Sequence, residues 1–349
     1  MTHPLKYVRP NILSLEPYST ARDEFSGGNI SVWADANESP YPTGLNRYPD
    51  PHQKKLKRVI ATLKGCDPEN IFIGGAGSDE AIDLIYRIFC EPATDNVVAI
   101  APSYGVYKVE AAINNVEFRE VLLKEDFSLP VGRLLKATDR HTKVIWICSP
   151  NNPTANSFPA EKILALAESF DGIVAVDEAY IDFSEEKSLL AEIATHPNLI
   201  VLQTFSKAWG MASLRVGMAF AVPEIARIFG MVKYPYNLNG PTQQELIKRI
   251  TETDIRPMVT EIVEQRKLLA EELEKFSFVV KIYPSDANFL LVKVTDPDGL
   301  YSFLTDHGVI VRNRSRLKMC EGSLRITVGT PEENRLIIKQ LKRFENVEC

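Results

Sequence analysis

A lysine placed directly after a buried strand can do covalent chemistry. Lys207 sits in Thr204-Phe-Ser-Lys-Ala-Trp-Gly210, just past the apolar run 199–202, which reads as a strand of a parallel sheet. Two runs of the same kind lie upstream. Residues 173–176 end in Asp177-Glu-Ala-Tyr180, and residues 144–148 end in Ser149-Pro-Asn-Asn-Pro-Thr154. Three successive strand ends thus deliver Asn152, Asp177 with Tyr180, and Ser206 with Lys207, where open α/β sheets bind their ligands. A lysine amine condenses with an aldehyde once its surroundings let it lose a proton. A carboxylate beside a pyridine nitrogen keeps that nitrogen protonated, so the ring can accept electrons from a breaking bond. Asp177 is the candidate for that carboxylate. Asn152 and Tyr180 can hydrogen-bond a phenolate oxygen, one through its amide and one through its hydroxyl. Singly these are ordinary loop and cap residues. In this order they suit pyridoxal phosphate, with Lys207, Asp177 and Tyr180 as the catalytic set.

A cofactor phosphate needs its own cradle. Residues 71–80, Ile-Phe-Ile-Gly-Gly-Ala-Gly-Ser-Asp-Glu, run from a strand through glycines into a helix, where unpaired amides and the helix dipole favour an anion. The run is no Walker A loop, lacking Gly-Lys-Ser/Thr, and no dinucleotide fingerprint, since Glu80 stands where a third glycine is required. Ala76, Gly77 and Ser78 or Asp79 are expected to donate amides, assisted by Ser206 and Arg215. Arg215 offers two fixed N–H donors, and Gly217 and its apolar neighbours argue against full exposure. Tyr104, at the end of the run 97–100, can lie flat against a planar ring.

These motifs resemble the fold-type I aminotransferases: Asn152-Pro-Thr154, Asp177-x-x-Tyr180, the adjacent pair Ser206-Lys207, and Arg215 eight residues on. Arg47-Tyr-Pro-Asp50, Tyr283-Pro-Ser-Asp-Ala-Asn-Phe289 and Leu324-Arg-Ile-Thr-Val-Gly-Thr330 narrow the resemblance to the histidinol-phosphate aminotransferase family over nearly the whole chain. The resemblance implies that Tyr104 stacks on the pyridine ring. It implies that Tyr48 reaches the cofactor phosphate of the neighbouring subunit, making the protein a homodimer with shared sites. It also implies that Tyr18, Arg312 and Arg325 take the substrate phosphate and that Asn37 lines the substrate side; Arg314 and Arg316 are close enough to play a similar part. The implied reaction exchanges histidinol phosphate and 2-oxoglutarate for imidazole-acetol phosphate and glutamate. A phospho-amino-acid decarboxylase or an aromatic amino-acid aminotransferase would share nearly all these residues. A pyridoxal-phosphate-sensing regulator would need a DNA-reading module, for which the sequence offers neither a spare domain nor basic charge. One departure is Ala155, where the family writes glycine; a methyl is tolerable there if the backbone is not left-handed.

The elements positioning these residues follow from composition and periodicity. The 349 residues, 45% apolar with a formal charge of −6, suggest two globular domains and argue against nucleic acid as a partner. No apolar run reaches the ~18 residues of a membrane span. The first residues lack the apolar core of a signal peptide, so the expected location is cytoplasmic. Five scattered cysteines read as thiols, and five histidines show no metal-ligand spacing. Alternating strands and helices from 71 to 203 predict an α/β fold: a large domain over 45–240 with a mostly parallel, doubly wound sheet. Residues 1–44 and 241–349 are assigned to a smaller α+β domain, the N-terminal part as an extended arm punctuated by Pro4, Pro10, Pro17, Gly27 and Gly28. Helices are expected over 52–64, closed by Gly65, and over 159–169. Residues 106–140 read as a helix and an irregular connection, and 242–275 as one long amphipathic helix. In the small domain the pattern predicts strands at 278–283, 288–294, 309–312 and 323–328 and a helix at 298–306. Its final helix, 331–344, is opened by the capping box Thr330-Pro-Glu-Glu333 and buries Leu336, Ile337 and Leu341. Arg325, between apolar Leu324 and Ile326, calls for an acidic partner.

Overall fold

The structure is a computed structural model that describes residues 4–20, 23 and 30–348; Gly27 and Gly28 lie outside them. The chain opens with a 3-10 turn, Pro4–Tyr7, and a one-turn helix, α1 (Pro10–Leu13). Helix α2 (Lys54–Lys64) follows, with Gly65 in the left-handed conformation at its end (φ 68°), which glycine adopts without strain. The large sheet is then built by alternation: β1 (Ile71–Gly74), α3 (Ser78–Phe89), β2 (Asn96–Ala101), α4 (Val106–Ile113), β3 (Glu117–Leu122), α5 (Val131–Ala137) and β4 (Thr142–Cys148). It continues through α6 (Ala160–Ser169), β5 (Ile173–Asp177), β6 (Leu199–Thr204), β7 (Gly217–Phe220) and α7 (Pro223–Val232). The strand order is β1-β7-β6-β5-β4-β2-β3, with only β7 antiparallel to its neighbours. Every residue of β5 and β6 is buried, because helices cover both sheet faces. The two apolar layers are visible along β5: Val174 and Val176 enter one, Ile173 and Ala175 the other.

Helices α8 (Gly240–Glu252) and α9 (Arg256–Leu273) lead into the second sheet, which is formed by β8 (Val279–Ile282), β9 (Phe289–Val294), β10 (Arg312–Asn313) and β11 (Ser323–Thr327), with α10 (Pro297–Asp306) between β9 and β10 and α11 (Pro331–Glu348) after β11. Its order is β10-β11-β9-β8, antiparallel throughout. Both halves of the capping box form at α11: Thr330 Oγ1 accepts from Glu333 N at 3.2 Å, and Glu333 Oε2 accepts from Thr330 N at 2.8 Å.

Several expectations need correction. The helix expected over 242–275 breaks at 253–255, because Pro257 cannot donate and its ring crowds the carbonyl four residues back. Helix α8 packs on α2, and Leu246 enters the large core. The start of the arm, assigned above to the small domain, docks instead on the large one. Arg9 N donates to Ile88 O at 2.9 Å, Lys6 pairs with Asp171, and Val8 is buried with α3 and α7. The connection 106–140 contains edge strand β3, whose charged Glu117, Arg119 and Glu120 hide the apolar alternation. In α11 Leu336 is 46% exposed, and Ile338 is buried in its place beside Ile337 and Leu341.

Candidate active site

Strands β4, β5 and β6 end side by side, with Cys148 paired to Asp177 and Asp177 to Leu202. The segments that follow enclose a cavity of about 130 Å³. Asn152, Asp177, Tyr180, Ser206, Lys207 and Arg215 all line it, as do Gly77, Ser78, Asp79 and Tyr104.

At one end Asp177 is wholly buried. Its Oδ2 accepts from Tyr107 Oη at 2.7 Å and its Oδ1 from Ala179 N at 3.0 Å. Burial pushes its pKa up to about 6 against the pull of Tyr107 and Ala179. A cationic ring nitrogen here would restore the charged form. Tyr107 escapes a reading of the sequence. It is a first-turn tyrosine on α4, stacked on Trp146 (centroids 4.7 Å apart) and edge-on to Tyr104, and nothing local to residue 107 announces a partner 70 positions away.

Across the cavity Lys207 is open to solvent along part of its length. Burial of its amine, followed by the charge of Arg325, lowers its pKa from the usual lysine range. Its Nζ lies 5.6 Å from the centre of the Tyr180 ring. Tyr180 is buried against Phe289, and burial pushes its hydroxyl pKa up. Asn152 Oδ1 accepts from Arg325 Nη1 at 2.6 Å, which leaves the amide nitrogen as the group that can donate to a ring oxygen.

The anion end is made by α3 and the segment after β6. Gly77 caps α3 with φ 76°, and a Cβ there would lie 2.9 Å from Arg215 Nη2. One expected donor is already engaged: Gly77 N donates to Arg215 O at 2.8 Å. Ala76 supplies its carbonyl to Arg215 Nη2 at 3.1 Å, and Glu80 Oε2 accepts from Gly75 N at 2.5 Å. The amides of Ser78 and Asp79, in the first turn of α3, remain for an anion. Ser206 Oγ accepts from Thr204 Oγ1 at 3.0 Å, so its own proton can be donated outward. Arg215 is half exposed and 3.6 Å from Asp79, whose Oδ1 also accepts from Tyr104 Oη at 3.2 Å. An anion-binding end and a buried acid at opposite sides of an amine-lined cavity fit pyridoxal phosphate.

The other predicted residues lie elsewhere. Arg325 reaches the cavity only through Asn152, and its expected acidic partner is absent among the described residues: the Asn152 amide oxygen and the Phe289 ring, 5.1 Å away, take that place. Arg312 is the register partner of Arg325 across β10 and β11. Tyr48 and Asn37 line a separate, open cavity of about 1170 Å³. Tyr18 is 76% exposed. Ala155 is buried with φ 69°, so the left-handed backbone that a methyl should avoid is the one it adopts.

Fold and site together define a pyridoxal-phosphate-dependent transferase. Residues 23–341 match the family model for aminotransferase class I and II, and the chain belongs to that family. It is 51% identical over 339 residues to the histidinol-phosphate aminotransferase of Bacteroides thetaiotaomicron, covering 97% of this chain and 98% of that protein. Identity to the same-named protein of Parabacteroides distasonis is also 51%, over the same shares. Among solved structures, the Sinorhizobium meliloti histidinol-phosphate aminotransferase in complex with pyridoxal 5'-phosphate superposes with a TM-score of 0.79 at 24% identity, covering 90% of each chain. The L-threonine-O-3-phosphate decarboxylase of Porphyromonas gingivalis shares the fold with a TM-score of 0.69 at 22% identity, covering 86% of this chain and 91% of that one.

Proposed function

We propose that this protein transfers an amino group between histidinol phosphate and 2-oxoglutarate, yielding imidazole-acetol phosphate and glutamate in histidine biosynthesis. The observation that carries the reading is Arg325. It is an arginine without a carboxylate partner among the described residues, bonded to Asn152 and close enough to Lys207 to depress its pKa. It recognises an anionic substrate group and sets the reacting carbon over the lysine. Pyridoxal phosphate supplies an aldehyde that condenses with amines and a ring that accepts electrons. Asp177 holds the ring nitrogen protonated. Asn152 and Tyr180 donate to the ring oxygen. Lys207 Nζ, with its lowered pKa, takes a proton from the substrate α-carbon and returns one in the reverse half-reaction. Ser78, Asp79, Ser206 and Arg215 hold the cofactor phosphate.

The protein acts as a homodimer in which Tyr48 serves the neighbouring site. Support comes from its absence from the Lys207 cavity and from the exposed apolar residues around it in sequence, Val32, Tyr41 and Leu45, a set that calls for cover.

The test is a half-reaction. Histidinol phosphate added to the loaded enzyme should shift the cofactor absorbance at far lower concentration than phenylalanine does. 2-Oxoglutarate should reverse the shift, and Lys207→Ala should abolish this exchange of the amino group, because the amine that moves the α-proton is gone. Carbon dioxide released from a phosphorylated amino acid, with no amino group passed to 2-oxoglutarate, would replace the transaminase by a decarboxylase.

A further inference from the structure

The segment 309–314, which contains β10, and strand β11 alternate sharply. Val309 and Val311, just before β10, and Leu324 and Ile326 in β11 enter the small-domain core. Arg312, Arg314, Ser323 and Arg325 therefore occupy the opposite face, since side chains two apart on a strand share a side. Arg312 pairs with Arg325 in register, and the Arg314 amide donates to Ser323 O at 2.9 Å, which carries the pairing one step further. Cross-strand neighbours on one face lie close enough for long side chains to meet. Three guanidinium groups thus crowd one patch, and among the described residues none forms an ion pair with a carboxylate. Two buried donors there lack any acceptor, Arg314 Nε and Arg325 Nε, and buried Ser323 Oγ is likewise unpartnered. Burial and then the charges of Arg325 and Arg312 lower the Arg314 pKa, and both Arg314 and Arg325 act electrostatically on Tyr180, which lines the Lys207 cavity. Arg316 differs from Arg314 in being exposed.

We propose that Arg314 is a third cation of the substrate-anion site, and that it selects a doubly charged phosphomonoester over a carboxylate. The proposal rests on the amino-transfer reading above. A carboxylate carries one charge on two oxygens; Arg325 alone satisfies it and leaves Arg314 Nε unpaired. A phosphomonoester presents three terminal oxygens and close to two charges, which match both Nε donors and the exposed Arg312. One site can therefore accept a carboxylate in one half-reaction and a phosphate in the other, with Arg314 engaged only in the second.

The test uses the loaded enzyme and two probes without an amine, sn-glycerol 3-phosphate and glutarate, titrated by calorimetry. Arg314→Gln should weaken glycerol 3-phosphate at least about tenfold, as expected for a lost charge-assisted hydrogen bond, and glutarate by less than about twofold. Arg314→Lys keeps the charge without the Nε donor and should show the same split at smaller size, so it reads the proposal even if the glutamine variant folds poorly. Arg316→Gln should change neither probe. Equal losses for both probes, or none for glycerol 3-phosphate, would overturn the proposal. If the split appears in a chain that moves no amino group from histidinol phosphate, the selectivity stands and the amino-transfer reading falls.

Discussion

Asp177 sits in a tension that the cofactor should relieve. Buried and bonded to Tyr107 and Ala179, it still has a pKa near 6, above the ordinary aspartate range. Without cofactor the folded chain therefore holds this proton more firmly than the unfolded chain does. The favourable contribution is complete below about pH 4 and is lost as pH rises through 6, on the order of 3 kcal/mol in all. A protonated pyridine nitrogen reverses the balance, because it binds the carboxylate and not the acid. Affinity for pyridoxal phosphate should thus rise as pH climbs through 6 in wild type, whereas Asp177→Asn should bind more weakly and lose that part of the pH dependence. Equilibrium dialysis between pH 5 and 8 reads both. Tyr107→Phe removes the donor to Oδ2 and should move the wild-type midpoint to higher pH; an unchanged midpoint would reduce Tyr107 to packing. These residues differ in how far they could be read from the sequence. Asn152, Asp177 and Lys207 follow strand ends, and strand ends are written in local apolar runs. Tyr107 is defined only by what folds over it. Ala76 and Gly77 were legible as a cradle, but not as one in which the Gly77 amide is already engaged by the Arg215 carbonyl.

At the scale of elements, the loop after β4 is where sequence and geometry disagree. Ala155 is fully buried in a small cluster with Tyr180, Phe183 and Phe289, and its φ of 69° belongs to the left-handed region. Its carbonyl accepts from Asp286 N at 2.8 Å, so the loop also ties the large domain to the small one. Ala155→Gly would release about 1 kcal/mol of left-handed strain. It would also lose about 0.8 kcal/mol of buried methyl, and greater freedom of the unfolded chain would cost about 0.4–1 kcal/mol more. The terms nearly cancel, with the balance slightly against glycine. Thermal unfolding should therefore show Ala155→Gly within about 1 kcal/mol of wild type, and a clear stabilisation would mean that the methyl is strained by more than its backbone angle. Elsewhere, elements were legible where the period is clean, as in β5, β6 and the capped start of α11. They were obscured where charge covers an edge, as in β3, or where one proline divides a continuous amphipathic pattern, as between α8 and α9.

At the scale of the whole molecule, the separation of Tyr48 from Lys207 becomes a statement about assembly. Tyr48 is 51% exposed, stacks on Tyr236 with centroids 4.4 Å apart, and faces the large open cavity rather than its own chain's cofactor cavity. Tyr41 and Leu45 beside it in sequence are 76% and 73% exposed. A second copy related by twofold symmetry would cover this surface and bring each Tyr48 to the other chain's Lys207. The arrangement can be tested by mixing two defective chains. Lys207→Ala removes the reacting amine, and Tyr48→Ala removes a phosphate donor and should lower turnover at least about tenfold. In a hybrid dimer one site carries both defects and the other carries neither. Random pairing makes half the dimers hybrid, so about a quarter of all sites should be intact. Co-expressed chains should therefore recover close to a quarter of wild-type turnover per subunit. A protein whose sites are each complete within one chain would show no more than the average of the two parents, since every Lys207-bearing chain would keep its own defective Tyr48 position.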